Sequence, residues 1–116
     1  MKIESKRKRE KKTKEWLAGV VAYLQEALKD YGAEEAYLVG SFARGDWDDE
    51  SDIDLIVVKK TGINFIDRLL EFVKLLKPYF AIDVLVYTPQ EFDHMPNISG
   101  FFRHAMEDAV KIYEKK

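Results

Sequence analysis

Gly40-Ser41-Phe42-Ala43-Arg44-Gly45, an acidic loop, and then Ser51-Asp52-Ile53-Asp54-Leu55-Ile56-Val57-Val58 are the segment around which the chain is organised. The apolar run Ala36-Tyr37-Leu38-Val39 leads into the Gly-Ser turn, and two aspartates one residue apart open the second apolar run. The pattern predicts strand, tight turn, short helix from Ser41 to Arg44, polar loop, and a buried strand from Asp52 to Val58, where β-branched residues dominate.

Side chains two apart on a strand share a face, so Asp52 and Asp54 face the same way. Two carboxylates this close beside an apolar core repel, and a hard divalent cation removes the conflict. Mg²⁺ takes one or two protein carboxylates, several waters and phosphate oxygens. Asp83 stands inside a further apolar run, Phe80 to Tyr87, where a charge is equally out of place. If these two strands are neighbours, Asp83 completes a cluster of three carboxylates. Gly40 allows close backbone approach. Ser41 offers a hydroxyl and a backbone N–H at a helix start, which suits phosphate. Arg44, one turn on, can add a bidentate contact. Asp-x-Asp alone, or Gly-Ser alone, says little. Their conjunction, with ten residues between Ser41 and Asp52 and an in-strand Asp83, is specific. It points to a nucleoside triphosphate site with metals, built for in-line displacement at phosphorus. Asp46, Asp48, Asp49 and Glu50 fall in the loop and read as solvated groups rather than ligands.

Outward from this stretch the chain alternates helices and strands. Trp16, Val20, Tyr23, Leu24, Ala27, Leu28 and Tyr31 recur at spacings of three and four, one stripe of an amphipathic helix, and Gly32 suits its end. Glu35 to Val39 is a short strand. Ile63 to Lys77 is a second helix, with Ile66, Leu69, Leu70, Val73 and Leu76 inward and Pro78 as its stop. Phe80 to Tyr87 is a strand. Thr88-Pro89-Gln90-Glu91 is a capping box that starts a short helix, which Pro96 breaks. Asn97 or Ser99 caps a last helix to about Glu107, and Ala109 to Tyr113 forms a short edge strand.

At 116 residues and 47% hydrophobic content the chain is one domain with a real core. It has no cysteine, which excludes disulfides, thiolate nucleophiles and cysteine zinc sites. Two histidines, His94 and His104, are too few for a zinc site without cysteine and read as surface or capping residues. No apolar run approaches the roughly 20 residues of a membrane span, and the basic N-terminus lacks the apolar core of a signal peptide. Together with the missing cysteines this predicts a cytoplasmic protein. Residues 1–14 carry eight Lys or Arg against two Glu, while the rest carries 11 basic and 19 acidic residues. The arm is therefore expected to be exposed, disordered or a helix extension, ahead of a domain at 15–116. Solvation explains it most simply, and nucleic-acid contact is the second reading. Trp47 reads as loop packing ahead of base stacking, and Phe101 and Phe102 as core of the last helix.

The run Gly40-Ser-Phe-Ala-Arg-Gly … Ser-Asp-Ile-Asp-Leu-Ile-Val-Val58 resembles the signature of the polymerase-β-type nucleotidyltransferase superfamily. At this length the chain resembles the minimal nucleotidyltransferase (MNT) proteins of bacteria and archaea, over about residues 15–113. The resemblance implies an α/β (α+β) fold with a small mixed sheet of about four strands flanked by helices. It implies that Ser41, with Gly40 and Arg44, holds the triphosphate. Asp52 and Asp54 would bind a pair of Mg²⁺ ions, and Asp83 would be a third metal ligand that helps deprotonate the acceptor hydroxyl. Family members act as antitoxins beside a HEPN-domain toxin. The implied reaction moves AMP from ATP to a toxin tyrosine, within a homo- or hetero-oligomer. Asp108 stands where many relatives have glycine, which touches only the turn before the last strand. Two other functions fit the same residues: an antitoxin that binds nucleotide and neutralises by occlusion, and a transferase acting on a nucleic acid or small molecule.

Overall fold

The computed structural model of the chain describes residues 2–3, 11–77 and 81–116. Helix α1 (Lys14–Tyr31) starts where Thr13 accepts the Trp16 backbone N–H through its hydroxyl at 3.0 Å. It ends at Gly32, whose φ of 80° is the left-handed geometry that glycine adopts without strain. The predicted stripe is the buried one: Val20, Leu24, Ala27, Leu28 and Tyr31.

The remaining elements are β1 (Lys2–Ile3), β2 (Glu35–Val39), α2 (Ser41–Arg44), β3 (Ile53–Val58), α3 (Phe65–Val73), β4 (Ile82–Tyr87), α4 (Pro89–Ile98), α5 (Gly100–Glu107) and β5 (Val110–Glu114). Among the described residues the sheet order is β1-β4-β3-β2-β5. β3 and β4 are parallel and every other pair is antiparallel, so the sheet is mixed, as expected. The parallel pair requires a crossover, and α3 supplies it.

Alternation along the strands builds two cores. Ile53, Leu55 and Val57 of β3 and Ile82, Val84 and Val86 of β4 face α1 and α3 with Phe72, Leu24 and Leu28. Val39, Ile56 and Tyr87 point the other way, against Phe102 of α5 and Phe92 of α4. Phe102 meets Tyr87 and Phe92 edge-on, at 5.7 and 5.4 Å between ring centres, a favoured aromatic geometry.

Several expectations need correction. In α3 the buried residues are Arg68, Leu69 and Phe72, while Ile66 and Leu70 are exposed. The helix is shorter than predicted, and Arg68 takes an inward position because the fold brings it a carboxylate. Its guanidinium makes two contacts to Glu91, at 2.6 and 3.2 Å, and donates to the carbonyls of Ile63 and Val86. Pro96 lies inside α4 rather than ending it. Proline's fixed φ is helical, but inside a helix it loses its own N–H bond and its ring crowds the carbonyl four residues back; α4 ends two residues later, residue 96 is exposed, and Arg103 donates to its carbonyl. Asp108 has φ −106°, so glycine is not required there. Within the basic arm, Lys2–Ile3 add a short strand beside β4. Lys12 is tied to the acidic loop. Pro78 and Phe80, called as helix stop and strand start, lie outside the described residues, as do arm residues 4–10.

Candidate active site

The turn out of β2 is built for closeness. Gly40 has φ 73° and ψ −153°, a conformation open to glycine and strained for other residues. A Cβ there would also collide with Asp54 Oδ2, so glycine is needed twice over. α2 is pinned by Phe42, which is buried, stacks on Trp47 at 5.3 Å and meets Trp16 at a tilt at 5.8 Å. Trp47 is thus loop packing, as expected. Its indole N–H donates to the Lys12 carbonyl at 3.1 Å. The Lys12 N–H donates to Asp49 at 3.0 Å, and its ammonium donates to the Ser51 carbonyl. The segment before α1 therefore fastens the loop that leads into Asp52.

Asp54 and Asp83 are register partners across the parallel pair, and Val39 is the partner of Asp54 on the other side. Register partners on neighbouring strands, about 4.8 Å apart, share a face. Both aspartates are half-buried and lie on the face that carries the smaller core. They line a cleft of about 440 Å³ together with Gly40 and Arg44. Beyond them the cleft continues along Ile56 and Leu85 of the sheet and Phe101, His104 and Ala105 of α5. Arg44 contacts Asp46 at 3.3 Å, with both side chains largely exposed. Such a surface pair is weak, so its guanidinium can turn to an incoming phosphate at little cost.

Two predicted residues adjoin those that line the cleft: Ser41 follows Gly40, and Asp52 precedes Asp54 by two. Ser41 is the first residue of α2 and Asp52 the last before β3; both are half-buried and neither is in the lining. Among the described residues no three His, Asp or Glu side chains form a group able to hold a metal. The donor set still suits magnesium, which is bound by one or two carboxylates plus substrate phosphates rather than by an all-protein cage. Asp54 and Asp83 are two hard oxygen donors in register, and the missing Cβ at Gly40 keeps space beside one of them.

Three residues were missed from the sequence. His104, read as a surface or capping residue, and Phe101, read as core, both line the cleft, and Phe101 is 75% exposed. The signal was present: in the pair Phe101-Phe102 on one helix, only one ring can face the core. Arg68 was the third. Hydrogen bonding to its guanidinium holds the Glu91 carboxyl below the usual range against the opposing effect of burial. This ties α3 to the start of α4, which carries α5 over the cleft.

The chain is similar to known proteins. The profile of the nucleotidyltransferase domain family matches residues 20–98. A protein of Methanocaldococcus jannaschii named "Putative protein adenylyltransferase MJ0604" is 35% identical over 77 residues, covering 66% of this chain and 74% of that protein. The solved structure of "a putative nucleotidyltransferase from Sulfolobus solfataricus" aligns with a TM-score of 0.60 at 25% identity, over 84% of this chain and 83% of that one. With the Gly40 turn set against Asp54 and Asp83 on a mixed sheet, these matches make the chain a nucleotidyltransferase of the minimal (MNT) type.

Proposed function

We propose that the chain transfers AMP from ATP to a hydroxyl of a partner protein, and that this hydroxyl is a tyrosine of a HEPN-domain toxin which the transfer silences. The observation that carries the transfer is the Asp54–Asp83 register pair beside the Gly40 turn. The acceptor class follows the name of the M. jannaschii relative, and the toxin follows the resemblance of the Gly40–Val58 signature to MNT antitoxins.

Asp54 and Asp83 would hold magnesium, with Asp52 the next carboxylate along the chain. The ion would supply charge neutralisation at the phosphates during in-line displacement. Gly40 lets the triphosphate approach the backbone, Ser41 meets it at the start of α2, and Arg44 takes its terminal oxygens. Asp83 accepts the proton of the acceptor hydroxyl. The hydroxyl oxygen bonds to the α-phosphorus, the bond from that phosphorus to the bridging oxygen breaks, and pyrophosphate leaves. The test is incubation with α-labelled ATP, Mg²⁺ and the partner toxin. Label on the toxin, lost when Asp52→Asn is combined with Asp54→Asn, is the expected result. No transfer, or transfer untouched by that double variant, removes the proposal.

One observation favours a second reading, in which the protein binds nucleotide and neutralises its partner by occlusion: no three carboxylates gather among the described residues. A triple Asp→Asn variant at 52, 54 and 83 that still protects fully in cells would select it.

A further inference from the structure

The cleft has two chemically different halves. Gly40, Arg44, Asp54 and Asp83 make a polar end, and Ile56, Leu85, Phe101 and Ala105 make an apolar one. The strands fix their separation. Ile56 follows Asp54 by two residues, and Leu85 follows Asp83 by two, on the same sheet face. Two residues of strand span about 6.6 Å, the scale of a sugar between a phosphate and a ring. The volume of about 440 Å³ lies in the range of small-molecule sites, roughly 300–1,000 Å³.

Among the described residues, Phe101 belongs to neither hydrophobic core. Its neighbour Phe102 anchors α5 in the small core. That anchoring leaves Phe101 exposed at the cleft. A rigid aromatic face presented at the apolar end of a polar cleft is what a planar ligand stacks on.

We infer that the apolar half of the cleft is the subsite for the nucleobase of the incoming triphosphate, with Phe101 as its stacking face and His104 at its edge. This rests on the nucleotidyl-transfer reading and adds where the base lies. Phe101 is here a specificity residue that touches the nucleotide and takes no part in the bond changes.

The test compares two probes on the full chain by calorimetry: Mg·ATP and Mg·tripolyphosphate, which lacks the nucleoside. The original chain should bind ATP more tightly than tripolyphosphate. Phe101→Ala should weaken ATP about tenfold, within the usual value of one base stacked on one ring, and leave tripolyphosphate unchanged. Phe101→Trp should restore ATP binding. The exposed position makes both variants compatible with folding. Unchanged ATP binding in Phe101→Ala, or equal losses for both probes, overturns the subsite. Equal binding of the two probes by the original chain overturns it too, while leaving nucleotidyl transfer standing. Binding of neither probe sinks both ideas together. A loss confined to the KM for the partner protein, with ATP binding intact, also overturns it and assigns Phe101 to the acceptor.

Discussion

The two faces of one sheet do opposite work here. On one face Ile53, Leu55, Val57, Ile82, Val84 and Val86 are sealed beneath α1 and α3. On the other, a small aromatic core holds α4 and α5 in place, and the strand ends stay open with Asp54 and Asp83 in the gap. Alternate residues of the same six-residue strands thus face the sealed core and the open cleft. The difference teaches that an expensive pair of carboxylates can be kept near a core if the opposite face of the same strands supplies the stability. Five substitutions probe this division of labour.

The largest effect is expected at Asp54→Asn. Transfer should fall by about three orders of magnitude, the several kcal/mol that a metal site supplies. Chemical denaturation should show a loss far smaller than the loss of transfer, since removing one of two neighbouring charges relieves their repulsion. A variant that unfolds would erase the division between the faces. Phe72→Ala is the counterpart on the sealed face. Phe72 is fully buried, so the cavity should cost about 3–5 kcal/mol, read from the urea midpoint, with transfer per folded molecule retained.

Gly40→Ala comes next. The positive φ should cost about 1–3 kcal/mol, and the new Cβ meets Asp54. Activity should therefore fall further than stability does, and equal losses would make the glycine merely a turn residue. Glu91→Gln is milder, about 1–2 kcal/mol, because the Glu91 side chain is 42% exposed although Arg68 is nearly covered. Its pH dependence has a fixed sign. Since Arg68 lowers the Glu91 pKa, the contribution is complete above the ordinary value of 4.5 and disappears as pH falls through the depressed folded value. Acid titration should show a shallower loss in Glu91→Gln than in the original chain.

The smallest change is expected at Tyr31→Phe. Its hydroxyl donates to the Arg68 carbonyl at 2.8 Å, a bond of about 1 kcal/mol. Burial first, and the Glu71 charge second, raise the Tyr31 pKa from 10.0 to about 12. A raised folded pKa gives stability that is complete below pH 10 and is lost as pH rises toward 12. Thermal unfolding across that interval should be flatter in the variant.

Much of this was legible in the sequence, for local reasons. The α1 stripe, its Gly32 end, the Gly40 turn and the Thr88 capping box each depend on residues within a turn or two of one another, and all stand as read. What escaped depends on distant partners. A buried arginine in α3 cannot be inferred without the carboxylate 23 residues away that meets it. With Arg68, Leu69 and Phe72 inward, Ile66 and Leu70 lie on the exposed side. For the site, the sequence named both register partners, Asp54 and Asp83. It also named Asp52, the residue before β3, and Ser41, the first of α2, each beside a residue or strand that lines the cleft. It could not separate the exposed ring of Phe101 from the buried ring of Phe102.

The in-step alignment of β3 on β4 ties correct assembly to chemical competence. A slip of one residue would turn the Asp83 side chain into the sealed core, and a slip of two would set Asp54 against Leu85. Either error would scatter the ligands before any nucleotide arrived. Under the proposed chemistry a misaligned chain would be silent rather than promiscuous, and metal uptake would double as a gauge of faithful folding.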